Sequence, residues 1–363
     1  MKKEFGRSLG FSELNNLVLG ASVLGTGGGG SFSLARAMVE DLDARGMRPK
    51  LLDPSELKPS VLGISTAMLG GGLSNAELER LEQMSAEPPS VPAARALSAF
   101  LGRPIDFVFP IELGPQNTME AVRLAAFLDV PVLDGDCAGR AVPEMHQTTL
   151  SLFDLPLTPF VVATFQGDVA ILAKVFSDAR GEALCRALAS ASGGLVCVTG
   201  FPVEGQHLRE AIIPRTLSRC MEIGSRLGPG TRPAEALATL CQGRVAFQGR
   251  VQAFEVECRG SFFWGFLDLD GTGSFAGARY RVGIQNEFMW AWRDGNLDIQ
   301  CPDLVCVLDS DSGVGKVTYG HGFENSIEVG EDLTVLHLPC DPVWGSEQGR
   351  RQFPVPPSDP PPC

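Results

Sequence analysis

The stretch DFVFPIELGPQNTMEAVRLAAFLDVPVLDGD, residues 106–136, decides the fold. Asp106 to Glu112 carries Phe107, Val108, Phe109 and Ile111 in close succession, the pattern of a strand buried on both faces. Asn117 to Leu128 reads as an amphipathic helix, and Pro131 to Asp134 as a second short apolar strand. Strand, helix and strand within so short a span form a βαβ unit. Its two strands lie parallel and its crossover is right-handed. The N-terminal part is therefore α/β.

Reading outward toward the N-terminus, residues 11–24 and 32–44 have helical spacing, the first with Ser12 as a cap and the second ending at Gly46. Lys50 to Asp53 and Val61 to Ser65 read as short strands, and residues 75–84 and 92–101 as helices. Toward the C-terminus, Phe160 to Phe165 and Val169 to Val175 flank Gln166-Gly167-Asp168, a hairpin signal. Helices are expected at 181–190 and at 214–226, the latter with Pro214 in its first position. From residue 243 onward most segments read as strand, with turn signals every 8–12 residues. The expected organisation is an N-terminal α/β domain with parallel strands over 1–163, a β-rich α+β domain over 164–348, and a proline-rich tail over 349–363 that frays.

Composition narrows the function classes. The chain has 363 residues and a formal net charge of −13, without a Lys/Arg block. Phosphate backbones and anionic lipid repel such a surface, so neither nucleic acid nor membrane is expected as a partner. No signal-type apolar run follows Lys2 and Lys3, and no stretch reaches the ~18 apolar residues of a membrane helix. Ten scattered cysteines without a CxxC pair read as reduced thiols, so a cytoplasmic location is expected.

Four features could carry chemistry. The run Gly25-Thr26-Gly27-Gly28-Gly29-Gly30-Ser31 lacks the Lys of a P-loop and follows a helix instead of a strand, which removes the two nucleotide fingerprints. A tight helix–helix turn and an anion-cradling loop of backbone N–H groups both remain open. Glu112 and Asp134 close the two parallel strands, at the edge where open α/β sheets bind ligands. Asn117 stands at the helix start beside them, and Asp136, Arg140, Glu144 and His146 follow. Such acids can hold a divalent cation, activate water or bind a polar ring; equally, they can make turn hydrogen bonds neutralised by Arg140. Cys137 is either a nucleophilic thiolate or a buried thiol. Gln285-Asn286-Glu287 ends a strand and either reaches into a cleft or closes a hairpin. The histidines form no HxH, HxxxH or HExxH; His337 reads as a strand residue and His321 as a loop residue. No G-x-S-x-G elbow occurs.

The segments LGTGGGGS (24–31), IELGPQNT (111–118), DGDCAGRAVPE (134–144), AIIPRTLSRCMEIG (211–224), IQNEFMWAWRDG (284–295) and PDLVCVLD (302–309), in this order, resemble the S-methyl-thiohydantoin desulfurase-like family. The resemblance implies two domains and hydrolysis of a five-membered cyclic ureide or thioureide. It places a glycine loop at Gly27, Gly28, Gly29 and Gly30, an acidic loop at Asp134, Asp136, Arg140 and Glu144, and a polar strand end at Gln285, Asn286 and Glu287. Family members commonly end in a GPRxFG-like segment; here Gly349-Arg350-Arg351-Gln352-Phe353 runs into prolines. The combined expectation is a thiohydantoin or hydantoin hydrolase with Asp134, Asp136, Glu112 and Arg140 catalytic. Gly27 to Gly30, Asn117, Glu144 and Gln285 to Glu287 would bind the substrate. Asp134, Asp136 and Glu112 would hold one divalent metal, zinc first, if any cofactor is used. The expected partners are the small heterocycle and either a second copy or a hydantoinase-type enzyme. The alternative is a non-catalytic assembly subunit of such an enzyme.

Overall fold

The computed structural model describes residues 6–357 apart from 72, 86, 260, 261 and 320–322, so His321 and the last six residues lie outside the described residues. The βαβ unit is present. Strands Phe107–Phe109 and Val132–Leu133 are parallel neighbours with Val108 opposite Val132, joined through the helix Pro115–Phe127. Leu62–Gly70 and Lys50–Leu52 extend the parallel set on its two sides. The side chains alternate between two buried faces. Val108 and Val132 pack under helices Phe11–Leu24, Phe32–Ala44, Ser90–Leu101 and Pro115–Phe127, while Phe107, Phe109 and Leu133 enter a core shared with Cys185 and Leu208. Burial on both faces is why this stretch reads as an unbroken apolar run.

The sheet does not stop at residue 163. Leu195–Glu204 pairs antiparallel with Leu62–Gly70, and the hairpin Phe160–Ala163 and Val169–Leu172 completes that side; with Arg7–Ser8 at the far edge the sheet has eight strands. The second sheet has seven strands, all antiparallel, in the order Asn296–Gln300, Glu287–Arg293, Arg279–Gln285, Phe262–Gly271, Arg244–Arg259, Asp332–Leu338, Leu304–Asp309. Its core includes Phe247 stacked on Tyr280 at 4.6 Å between ring centroids. Among the described residues no helix is long and apolar enough to cross a membrane.

Two elements differ from expectation. The helix foreseen from Pro214 starts at Thr216, because Ile213–Pro214 pairs with Gly135–Asp136 and Arg215 takes a left-handed φ of 64°. The tail does not fray from its start: Phe353 is buried, edge-on to Trp344 at 5.1 Å.

Helices Phe11–Leu24 and Thr216–Gly224 cross at two glycines. A Cβ on Gly20 would stand 1.8 Å from the Cys220 carbonyl oxygen, and one on Gly224 1.9 Å from that of Asn16. Gly20→Ala must push two backbones apart, an overpacking cost of about 2 kcal/mol or more. A thermal melt of that variant is expected to drop by several degrees; an unchanged midpoint would contradict this crossing.

Candidate active site

The glycine loop joins the first two helices, and its glycines serve close approach. Gly27, Gly29 and Gly30 have φ of 90°, 75° and 86°, which L side chains seldom adopt. A Cβ on Gly29 would stand 2.3 Å from the Gly114 Cα. There the Gly29 carbonyl accepts the N–H groups of both Gln116 and Asn117, each at 3.0 Å. The positive end of the helix Pro115–Phe127 is thus met by a carbonyl of the chain itself. The loop's own N–H groups are largely engaged: Gly28 donates to Gly25, Gly30 to the Tyr319 hydroxyl at 2.9 Å, and Ser31 to Gln116 Oε1 at 2.8 Å. A cradle of free N–H groups is therefore not what the loop presents. Instead it makes room, since a Cβ on Gly28 would fall 2.1 Å from Glu287 Oε1. The absent side chain is the slot for that carboxyl group.

A cavity of about 170 Å³ opens beside the loop, between the two sheets. Gly29, Gly30, Glu112, Asn117, Asn286 and Glu287 line it, with Glu144 on its rim. Glu112 follows the strand Phe107–Phe109 and is held at both oxygens. Asn117 Nδ2 donates to Oε1 at 2.6 Å and Val142 N–H to Oε2 at 2.8 Å. Asn117 is itself oriented by the Met68 N–H, which its Oδ1 accepts at 2.9 Å. Burial penalises the Glu112 anion more than these donors and nearby Arg140 support it, so its pKa is pushed up to about 7. Burial also pushes Glu287 well up, and the Glu112 charge adds to it. Its Oε2 has no hydrogen-bond partner among the described residues. Burial thus holds the Glu287 carboxyl toward its protonated form, which has a proton to donate.

Four more wall residues stand outside the expected site set, of which Gln116 alone sits in a segment the sequence singled out, at the helix start beside Asn117. Tyr319 accepts the Gly30 N–H and keeps its own proton for donation; burial and the Glu287 charge push its pKa up. Gln116 Nε2 is buried without a partner among the described residues. On the far wall Glu182 takes the Met145 N–H at 2.9 Å and Arg186 Nε at 2.8 Å, and the Arg186 guanidinium lies 4.3 Å from the Phe262 ring centroid. They converge from segments up to 289 positions apart, as Gly30 and Tyr319 do, and no local spacing announces Tyr319, Glu182 or Arg186.

Other expected site residues stand elsewhere. Asp134 turns from the cavity toward helix Thr216–Gly224, where its carboxylate takes the Ser218 N–H and hydroxyl. Asp136 is fully buried in a turn, its Oδ2 accepting Ala138 and Gly139 N–H groups at 2.8 and 2.7 Å; burial pushes its pKa up to about 7. Arg140 is a buried strut, donating to the carbonyls of Ala141, Asp303 and Phe288 and to the Thr26 hydroxyl. It has no fork left for a substrate carboxylate. Gly27 packs on Phe288 and Thr318, away from the cavity lining, and Gln285 lines a different groove. Cys137 is a buried thiol whose pKa burial raises far above the ordinary range. His337 pairs with Asp303 at 2.7 Å.

The donor set does not fit the metal expected on Asp134, Asp136 and Glu112. Their hydrogen bonds form three separate sets: Glu112 to Asn117 and Val142, Asp134 to Ser218, and Asp136 Oδ2 to Ala138 and Gly139, while Asp136 Oδ1 is buried without a partner among the described residues. Among the described residues no three His, Cys, Asp or Glu side chains are grouped to hold a metal ion.

Profiles of known families align with this architecture. The one described as "S-Me-THD-like, N-terminal domain" matches residues 12–174, and "S-Me-THD-like, C-terminal domain" matches residues 177–353. No curated protein matches the chain significantly. A crystal structure of a protein from Chromobacterium violaceum superposes with a TM-score of 0.76, at 22% identity over 96% of both chains, a likeness of fold.

Asp134 at the start of a helix and Glu112 in the cavity make separable predictions. Asp134→Ala removes a cap, so its unfolding free energy should fall by about 1–2 kcal/mol; no loss in a denaturant titration would contradict the capping. The folded pKa of Glu112, about 7, lies above its unfolded value of 4.5. The fold therefore favours the protonated acid, and this contribution is full below pH 4.5 and lost as the pH rises through 7. Glu112→Gln should gain on the parent chain by on the order of 3 kcal/mol between pH 5 and pH 8. Parallel stability curves would show that Glu112 ionises normally.

Proposed function

This chain belongs to the S-Me-THD-like family, and from that premise we propose that it hydrolyses a five-membered thiohydantoin- or hydantoin-like ring. The observation that carries the reading is one small cavity holding two buried carboxyl groups, Glu112 and Glu287, both raised above the ordinary range. A dry cavity of ~150 Å³ accepts benzene, so about 170 Å³ suits one substituted ring and is too small for a nucleotide. Pairs of acids with unequal environments mark acid and base assignments.

In the proposed reaction the ionised Glu112 takes a proton from water, whose oxygen bonds to the ring carbon bearing sulfur. The C–S bond breaks as Glu287 delivers its proton to the leaving sulfur, and the hydroxyl proton left from water passes to the adjacent ring nitrogen, giving the ring carbonyl and a thiol. Glu112 then carries one proton more and Glu287 one fewer, and a proton passed from the first to the second restores both. For a hydantoin the same steps break a ring C–N bond, with nitrogen taking the proton. Asn117 and the Val142 N–H hold Glu112 in one orientation. Gln116 Nε2 and the Tyr319 hydroxyl are donors available to the oxygen that gains charge, an electrostatic contribution that is large in a water-poor site.

Turnover is to be measured on a panel of 2-thiohydantoin, S-methyl-thiohydantoin and hydantoin, by thiol release and ring absorbance. With the best of these, kcat/KM should rise with pH through about 7 as Glu112 ionises. Glu112→Gln and Glu287→Gln should each lower kcat by about 10²–10⁴-fold. Asp134→Ala, remote from the cavity, should retain activity in the folded fraction. A panel without turnover, with the chain co-purifying with a hydantoinase, would replace this reading by the assembly-subunit one.

A further inference from the structure

The cavity has an apolar side that the reacting groups leave unused. Met68, Leu73, Leu78, Leu195 and Phe323 line it and pack together as one cluster, and none of the five carries a charge. Tyr319 joins this side to the carboxyl groups. Its hydroxyl accepts the Gly30 N–H at 2.9 Å, while its ring contacts those of Phe263 and Phe323, with 5.8 and 5.7 Å between centroids. Phe263, which also lines the cavity, is held by Asn286. The Asn286 N–H donates to the Phe263 carbonyl and the Asn286 Oδ1 accepts the Phe263 N–H, each at 2.8 Å. The aromatic wall is thereby fixed to the residue next to Glu287.

A thiohydantoin or hydantoin ring carries hydrogen-bonding groups on four of its five positions, as N–H or as carbon bearing oxygen or sulfur. The fifth, C5, is a tetrahedral carbon without one. Glu112, Glu287 and the unpartnered Gln116 Nε2 give the ring's polar edge its partners, which turns C5 toward the rest of the wall. There an apolar group loses its water favourably, whereas a charged one would be dehydrated without a partner. Resting on the ring-hydrolysis reading above, we propose that the substrate bears a compact apolar substituent on C5, and that Leu73, Leu195 and the Phe263, Tyr319 and Phe323 rings form the subsite that selects it. The space sets the size: a cavity of ~150 Å³ takes one benzene, so about 170 Å³ leaves room beside the small ring for an isobutyl-like chain and none for an indole. Gly71, just beyond strand Leu62–Gly70, borders the subsite with φ outside the left-handed region, and a Cβ on it would stand 3.2 Å from Phe263 Cε2. A side chain there narrows the subsite without straining the backbone.

The test compares 2-thiohydantoin with its 5-isobutyl and 5-carboxymethyl derivatives on the full chain, by kcat/KM and by Kd from calorimetry. The isobutyl ring should exceed the unsubstituted one by about 10–100-fold in kcat/KM, with a matching fall in Kd. The carboxymethyl ring should lie below the unsubstituted one. Gly71→Val should lower the isobutyl-to-unsubstituted ratio about ten-fold. Leu73→Ala, at a half-buried position, should lower it about three-fold. Equal constants for the three rings would overturn the subsite and leave the hydrolysis standing. So would an isobutyl preference that neither variant moves, which puts the substituent elsewhere. If no ring is turned over, the hydrolysis reading fails, and the Kd values still decide the subsite. Tighter binding of the isobutyl ring, weakened in Gly71→Val, supports it, and equal or absent binding overturns it.

Discussion

The backbone contact between Gly29 and Gly114 is the constraint on which the rest of the structure depends. Nothing larger than hydrogen fits on either Cα there, and at this distance the Gly29 carbonyl receives the first N–H groups of the helix Pro115–Phe127. The same loop binds the second sheet. Thr26 C=O accepts the Phe288 N–H, Gly27 C=O accepts the Thr318 N–H, and Arg140 ties the Thr26 hydroxyl to the Phe288 carbonyl. Three segments distant in sequence are thereby held by main-chain hydrogen bonds, which tolerate little displacement. The cavity is the space left where they meet.

Its electrostatics follow from that closure. Glu112 and Glu287 lose water on burial, and their polar contacts do not offset it, so the pKa of each is raised, Glu112's to about 7. Asp136 is pushed up for the same reason but faces a turn and not the cavity. A raised acid is thus not by itself a reactive one. What distinguishes Glu112 and Glu287 is that both line a space into which a molecule fits.

Much of this was legible in the chain. Phe107 to Phe109, Val132 and the intervening helix declare a parallel pair through composition and spacing alone, because both sheet faces are buried. The glycine run declares a close approach, and Glu112 and Asn117 sit where a ligand edge is expected. Asp134 occupies an equivalent strand end and looks equivalent in sequence. The difference is Ser218, 84 positions away, which takes its carboxylate as a helix cap. Likewise Gln285 and Glu287 look alike in sequence, yet they line different depressions on the two sides of a turn. The boundary at 163 fell inside a sheet because hairpin Phe160–Ala163 and Val169–Leu172 has its own local signal, while its attachment to Leu195–Glu204 has none.

By itself the sequence determined local conformation and layer: where strands and helices form, which are buried, and that the chain needs glycine at one junction. These are properties of neighbours a few residues apart, where propensity and periodicity act. Tertiary structure decided which acids became a site. A carboxyl group's protonation and accessibility are set by the water removed and the donors brought to it, and for Glu112 and Asp134 those donors include Val142 and Ser218, 30 and 84 positions away along the chain.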